Sequence, residues 1–176
     1  NKENYFGYII IPFRSKGRLI YYIGRDFMGN YLRYKNPAKN LVGIGKNDCF
    51  YNEDALHIQN EIFITEGWAD AQTIGKKGVS TQGWKFSKRQ ENLLLKSNCS
   101  TVVFVPDVGD ENGKSFYIKC LHLSQKFVEH KTVYVLDTNT LSHLGKDVNE
   151  YGRDALLELY RSSTPKTYGD IILELL

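Results

Sequence analysis

From residue 59 onward the sequence alternates short apolar runs with amphipathic stretches, and this alternation constrains the fold more than any other feature. EIFITEG (61–67) reads as a strand ending in glycine, and WADAQTIGKKG (68–78) has helical spacing closed by a glycine. VSTQG (79–83) is a short strand, FSKRQENLLLKS (86–97) a helix capped by Ser87, and TVVFVPD (101–107) the near-continuous apolar run of a strand covered on both faces. A helix over about 114–130, the strand TVYVLD (132–137) and a helical region over about 148–161 complete the series. The order predicts an α/β fold, a mostly parallel sheet with helices on both faces, which binds ligands at the carboxyl ends of its strands.

The front of the chain follows a different grammar. FGYIIIPF (6–13) and RLIYYIGRDF (18–27) flank a Ser15-Lys16-Gly17 turn, and YLRYK (31–35) stops at Asn36-Pro37, which predicts three antiparallel strands. The organisation expected is a strand subdomain over 1–47, a connection over 48–58 with one helical turn, the α/β domain over 59–151 and a C-terminal helical segment over 152–176.

Charge separates these parts. Residues 1–47 carry nine Lys or Arg against Glu3 and Asp26, a net +7, so the total of +3 leaves −4 for the rest. A basic front is compatible with phosphate binding, and equally with a solvated surface. No run approaches the roughly 20 apolar residues of a membrane helix, and no secretory signal is present. Cys49, Cys99 and Cys120 show neither disulfide-framework nor zinc spacing, which fits a reducing cytoplasm. The chain opens without Met in a polar stretch, as expected of a piece of a longer protein.

Carboxylates stand at three predicted strand ends: Glu66, Asp107 with Asp110, and Asp147 with Glu150. In a parallel sheet all three ends open on one edge. Crowded carboxylates raise one another's pKa unless a cation joins them, and hard oxygen ligands suit Mg²⁺ or Mn²⁺. The same acids are also ordinary helix N-caps and turn formers.

The segments ITEGWADA (64–71), TQGWKFS (81–87), VVFVPDVGDENG (102–113) and GKDVNEY (145–151) together resemble the Toprim domain of topoisomerases, primases and related nucleases. The strands upstream, with YLRYKNP and Leu41-Val42-Gly43, resemble the basic subdomain that precedes Toprim in bacterial-type primases, so that the likeness covers about 6–151. The resemblance implies that Glu66 is the catalytic glutamate and a metal ligand, and that Asp107, Asp110, Asp147 and Asn149 hold Mg²⁺ or Mn²⁺. Two departures stand out: Val108 and Gly109 lengthen the usual Asp-x-Asp spacing, and Asn149 replaces a common carboxylate. Asp70 is expected to serve the first helix through its dipole and a backbone N–H. Trp84 is expected either to contact nucleotide or template or to lie in the core.

The same resemblance places Arg14, Arg18, Arg25, Arg33 and Lys35 in the basic cleft for single-stranded DNA template and nucleoside triphosphates, with Lys85 beside the acidic edge. Arginine's planar fork contacts phosphate oxygens in two places and stacks on bases, and Tyr21, Tyr22, Tyr31 and Tyr34 are interleaved with these charges. A Walker A loop is excluded, because Gly109 to Gly113 leaves three residues between the glycines where four are required.

The function expected is the catalytic core of a DNA primase, of replicative, phage or mobile-element type. It would synthesise short RNA primers by metal-dependent nucleotidyl transfer and work with a replicative helicase. The alternatives are a Toprim-family nuclease and a weakly catalytic nucleic-acid-binding remnant.

Overall fold

The computed structural model describes residues 4–29, 31–38, 42–83, 85–109 and 111–176, and the side chains of 111–115 are left aside. Asp110, Trp84 and Leu41 lie outside the described residues.

Strands β1 (Tyr8–Ser15) and β2 (Arg18–Asp26) form an antiparallel hairpin, and β3 (Tyr34–Lys35) adds to β2. Lys16 and Gly17 make the two-residue turn, both with positive φ (51° and 73°), the backbone that matches strand twist. β1 begins two residues later than the sequence predicts, because Gly7 turns with φ 80° and its carbonyl accepts the Phe27 N–H. Only the last two residues of the expected third strand pair, and Tyr31 is fully exposed.

A turn of 3-10 helix (Lys46–Asp48) and the short α1 (Ala55–Ile58) lead into β4 (Glu61–Thr65). Then follow α2 (Trp68–Ile74), β5 (Gly78–Ser80), α3 (Lys88–Leu95) and β6 (Thr101–Phe104). The chain closes with α4 (Glu111–Ser124), β7 (Thr132–Val135), a 3-10 turn (Thr138–Leu141), α5 (Val148–Ser162) and α6 (Tyr168–Leu175). The four strands β5-β4-β6-β7 are all parallel, as the alternation predicts.

Strand periodicity sorts the core into two layers. Ile62, Ile64, Val102, Phe104, Val133 and Val135 pack on one face with Leu94, Phe116, Leu121 and Ile171. Phe63, Val103, Val105 and Leu136 pack on the other with Ile74, Val148 and Leu156. A third cluster of Ile11, Phe13, Tyr21, Ile23 and Cys49 takes in Trp68 and Tyr51, and so fastens the hairpin to the parallel domain. Gln90, which is buried, strengthens that joint by donating to the carbonyls of Cys49 and Thr81, both at 3.0 Å.

Two elements stop short of their expected ends. β6 ends at Phe104 because Pro106 has no N–H for a ladder. α4 ends at Ser124, whose hydroxyl bonds back to the Cys120 carbonyl at 2.6 Å while Lys126 and Phe127 donate to residues three back. Within α5, Gly152 has a non-helical φ of 85°, a kink between the first turn and the rest of the helix.

Candidate active site

Glu66 follows the last residue of β4, a strand paired on both sides. Its carbonyl accepts from Ser80 Oγ at 2.8 Å and from the Gly83 N–H at 3.1 Å, which fixes the backbone at the point where the side chain leaves it. Gly67 then caps α2, and a Cβ there would stand 2.7 Å from Asp70 Oδ2, so a larger residue would displace that carboxylate.

Asp70 is buried in the first turn of α2, and its Oδ1 accepts the Asn149 N–H at 3.0 Å. Asp70 thus accepts a backbone N–H, as expected, but one from the start of α5, 79 residues away. Burial and the Asp147 carboxylate push its carboxyl up to about 6, against the backbone hydrogen bonds. Asp147 caps α5 through the Glu150 N–H at 3.0 Å. Glu150 turns its carboxylate back onto the Lys146 N–H at 2.9 Å. The loop carrying Asp107 is tied to the same region, because the Val108 N–H donates to the Lys146 carbonyl at 2.7 Å. Asn149 contacts Thr73 with its side-chain oxygen at 3.3 Å.

These groups line one cleft of about 470 Å³. Glu66, Asp70, Asp107, Asp147 and Asn149 form one wall, and Arg25, Arg33, Tyr34 and Lys46 form the other. Convergence of the acids shows electrostatically too: burial first, then Asp70, Asp107 and Asp147, raise the Tyr151 hydroxyl above its ordinary range. Asp147 is thus both a helix cap and part of a common acidic edge.

On the basic wall, Arg25 continues the inward face of β2 two residues beyond Ile23, and its guanidinium carbon lies 4.7 Å from the Tyr34 ring centroid. Its Nη1 is buried with no hydrogen-bond partner among the described residues. Arg33 stands 5.9 Å from the same ring. The other expected basic residues do not join them. Arg14 and Arg18 sit at the hairpin tip, about 23 Å from Arg25 at strand rise for the seven positions between Arg18 and Arg25, and Arg14 donates to the Gly17 carbonyl at 3.4 Å. Lys35 donates to the Asn4 carbonyl at 2.6 Å and lies over Tyr5. Lys85 is exposed beside α4, where it opposes the charge of Lys119.

Sequence reasoning missed Lys46 and Trp68 in this cleft. Lys46 lies in the basic front but outside its strands, and Trp68 directly follows the Glu-Gly pair, the one signal that marked it.

The donor set of carboxylate oxygens on one edge has the chemistry of a Mg²⁺ or Mn²⁺ site. Among the described residues no three His, Cys, Asp or Glu gather closely enough to hold an ion. Asp107 and Asp147 line the same cleft, and the Val108–Lys146 bond ties their loops together, so a cation held there would keep several waters. No described helix is long and apolar enough to cross a membrane.

No family profile and no curated protein matches the sequence. Solved structures do match. A DnaG catalytic core superposes with TM-score 0.72 at 17% identity, covering 96% of this chain and 56% of that one. A DNA primase domain from Pseudomonas aeruginosa gives 0.68 at 22%, covering 90% and 52%. A DnaG primase catalytic domain bound to ssDNA gives 0.71 at 19%, covering 96% and 55%. The chain spans about half the length of these matched chains. Parallel sheet, strand module and the joint between them together have the fold of a primase catalytic core.

Proposed function

We propose that the chain is the catalytic core of a DNA primase, joining ribonucleotides on a single-stranded DNA template. The observation that carries this reading is the facing of two walls across one cleft, carboxylates of the parallel sheet opposite Arg25 and Arg33 of the strand module. The ssDNA complex of a structure with this fold supports the choice of template.

In the reaction proposed, a 3′-hydroxyl attacks the α-phosphorus of a nucleoside triphosphate, a P–O bond forms and pyrophosphate leaves. Arg25, with a buried Nη1 that lacks a protein acceptor among the described residues, takes a phosphate oxygen, and Tyr34 holds its guanidinium flat. Arg33 and Lys46 extend the positive wall along the triphosphate or template. Glu66, fixed by Ser80 and Gly83, is assigned the proton of the attacking hydroxyl. Asp107 and Asp147, with Asp110 outside the described residues, would hold Mg²⁺ or Mn²⁺, which when bound neutralises the triphosphate and acidifies the hydroxyl. A replicative helicase is the partner proposed for the full-length protein.

The test is incubation of the 176-residue chain with single-stranded DNA, nucleoside triphosphates and Mg²⁺ or Mn²⁺. Labelled oligoribonucleotides are expected. Shortened template would identify a nuclease instead, and metal-independent retention of DNA with no product would identify a binding module.

A further inference from the structure

Residues 48–176 carry a net −4, yet one groove of the parallel domain is lined by positive charge. Between α3 and α4 runs a groove of about 340 Å³, lined by Phe86, Glu91, Lys119, His122, Leu123 and Lys126, among others. Its one lining carboxylate, Glu91, is engaged twice, by Lys126 Nζ at 2.8 Å and by Lys88 Nζ at 3.2 Å. That double pairing holds Glu91 below the usual carboxylate range despite partial burial. The acid therefore organises the lysines rather than cancelling them.

Lys119, His122 and Lys126 recur at helical spacing on α4 and the turn after it. Seven residues at helical rise put Lys119 and Lys126 about 10 Å apart along the axis. That span matches about three nucleotides at the roughly 3.4 Å rise per residue of a stacked strand. At its upper end the row meets Lys85, whose neighbour Phe86 stacks on Phe116 of α4 with ring centroids 5.8 Å apart. Burial and the Lys85 ammonium lower the Lys119 pKa there, against the pull of the Glu66 carboxylate.

We infer that this groove is a second track for single-stranded DNA, carrying the phosphate backbone of the strand along Lys119, His122 and Lys126 to the catalytic cleft. Charge complementarity selects the occupant. Lys85, Lys88, Lys119 and Lys126 supply four cations around one lining acid that is already paired, a surface that attracts a polyanion. A flexible single strand bends to follow such a row of cations, whereas duplex DNA is stiff over many base pairs. The inference rests on the primase reading, since it takes the template proposed there as its ligand.

The experiment measures binding of a fluorescent oligothymidylate to the 176-residue chain across a salt series, with Lys119→Ala/Lys126→Ala and Arg25→Ala compared. The double variant is expected to bind about tenfold more weakly at low salt and to lower the slope of log K against log salt by about 1.4, two single-strand contacts. Lys119→Arg/Lys126→Arg is expected to restore both values. Unchanged affinity and slope in the alanine pair, with Arg25→Ala weakened, overturns the groove and leaves the cleft reading standing. Failure of the unmodified chain to bind the oligonucleotide overturns both. Thermal unfolding of each variant confirms that the fold is retained, as both lysines are at the surface.

Discussion

Arg25 and Tyr34 face each other across β2 and β3, and the guanidinium of one lies over the ring of the other at 4.7 Å. The pairing fixes a charge that would otherwise sample many rotamers, and holds it in the cleft that the acids also line. Arg25→Ala is expected to weaken single-stranded DNA binding by about tenfold and to reduce the salt slope by about 0.7. Tyr34→Ala should cost about threefold through loss of the cation–π contact, and Tyr34→Phe should change nothing. Titrations at several salt concentrations check all three, and an unaltered slope in Arg25→Ala removes this residue from the interface.

Asp107→Ala is expected to abolish primer synthesis while leaving thermal stability within about 0.5 kcal/mol, since a half-buried acid among like charges contributes little to folding. Added Mg²⁺ should raise the melting temperature of the unmodified chain, by about 1.4 kcal/mol of stabilisation at ten times the dissociation constant, and should not raise that of the variant. Calorimetry with and without Mg²⁺ separates loss of metal binding from loss of fold.

Glu61 joins three elements: it accepts from Lys77 Nζ at 2.8 Å and from the Tyr160 hydroxyl of α5. Partial burial raises its pKa, but these two donors outweigh burial and hold it below the usual carboxylate range. A carboxylate with a depressed folded pKa stabilises the fold above its unfolded pKa and loses that contribution as pH falls through the folded value. Glu61→Gln should therefore lower stability by about 1 kcal/mol at pH 7, about 2–4 °C in melting temperature, and the gap should close below about pH 4. A gap that persists at pH 3 would contradict the ionic origin.

Gly78→Ala tests the seat of Glu66 from a distance. A Cβ at Gly78 would stand 2.1 Å from the Ala71 carbonyl oxygen, so β5 must move away from α2. The expected cost is about 3 kcal/mol, in the range of overpacked cores. Because Ser80 of β5 holds the Glu66 carbonyl, synthesis at a temperature where the variant is still folded should fall as well. Circular dichroism and primer synthesis at the same temperature check the two effects.

The Cys49 thiol is fully buried, and burial, with Glu53 and Asp48 nearby, pushes it up to about 12. Iodoacetamide at pH 8 should leave it unmodified in the folded chain and label it in denaturant, which peptide mass mapping reads directly.

The parallel domain was legible because each of its strands writes its own burial in sequence. Residues 102–105, apolar without a break, are buried on both faces of the sheet, and Ser87 marks the start of α3 by the capping box found there. The acid wall was legible for the same reason, since strand ends share an edge in a parallel sheet. The basic wall was only partly so. Alternation assigns a residue to a face, and Arg25 follows from Ile23, but it does not say where along the strand the cleft lies, and Arg14 and Arg18 fall at the far end. The α3–α4 groove was hidden altogether, because a net charge of −4 averages over the surface on which Lys119 and Lys126 are gathered.

The hydrogen bond from the Asn149 N–H to Asp70 spans 79 positions, and it has a consequence for how the protein comes into being. Strands β4, β5 and β6 can pair as soon as residue 104 has left the ribosome, but until the start of α5 docks, Asp70 is a carboxylate on an open helix end. Closure of that long loop brings Asp147 into place and withdraws Asp70 from water in one event. The acid wall is therefore completed only after three strands of the sheet can pair, and a nascent chain stalled before residue 147 would lack Asp147 and Asn149, two of the five residues that form it.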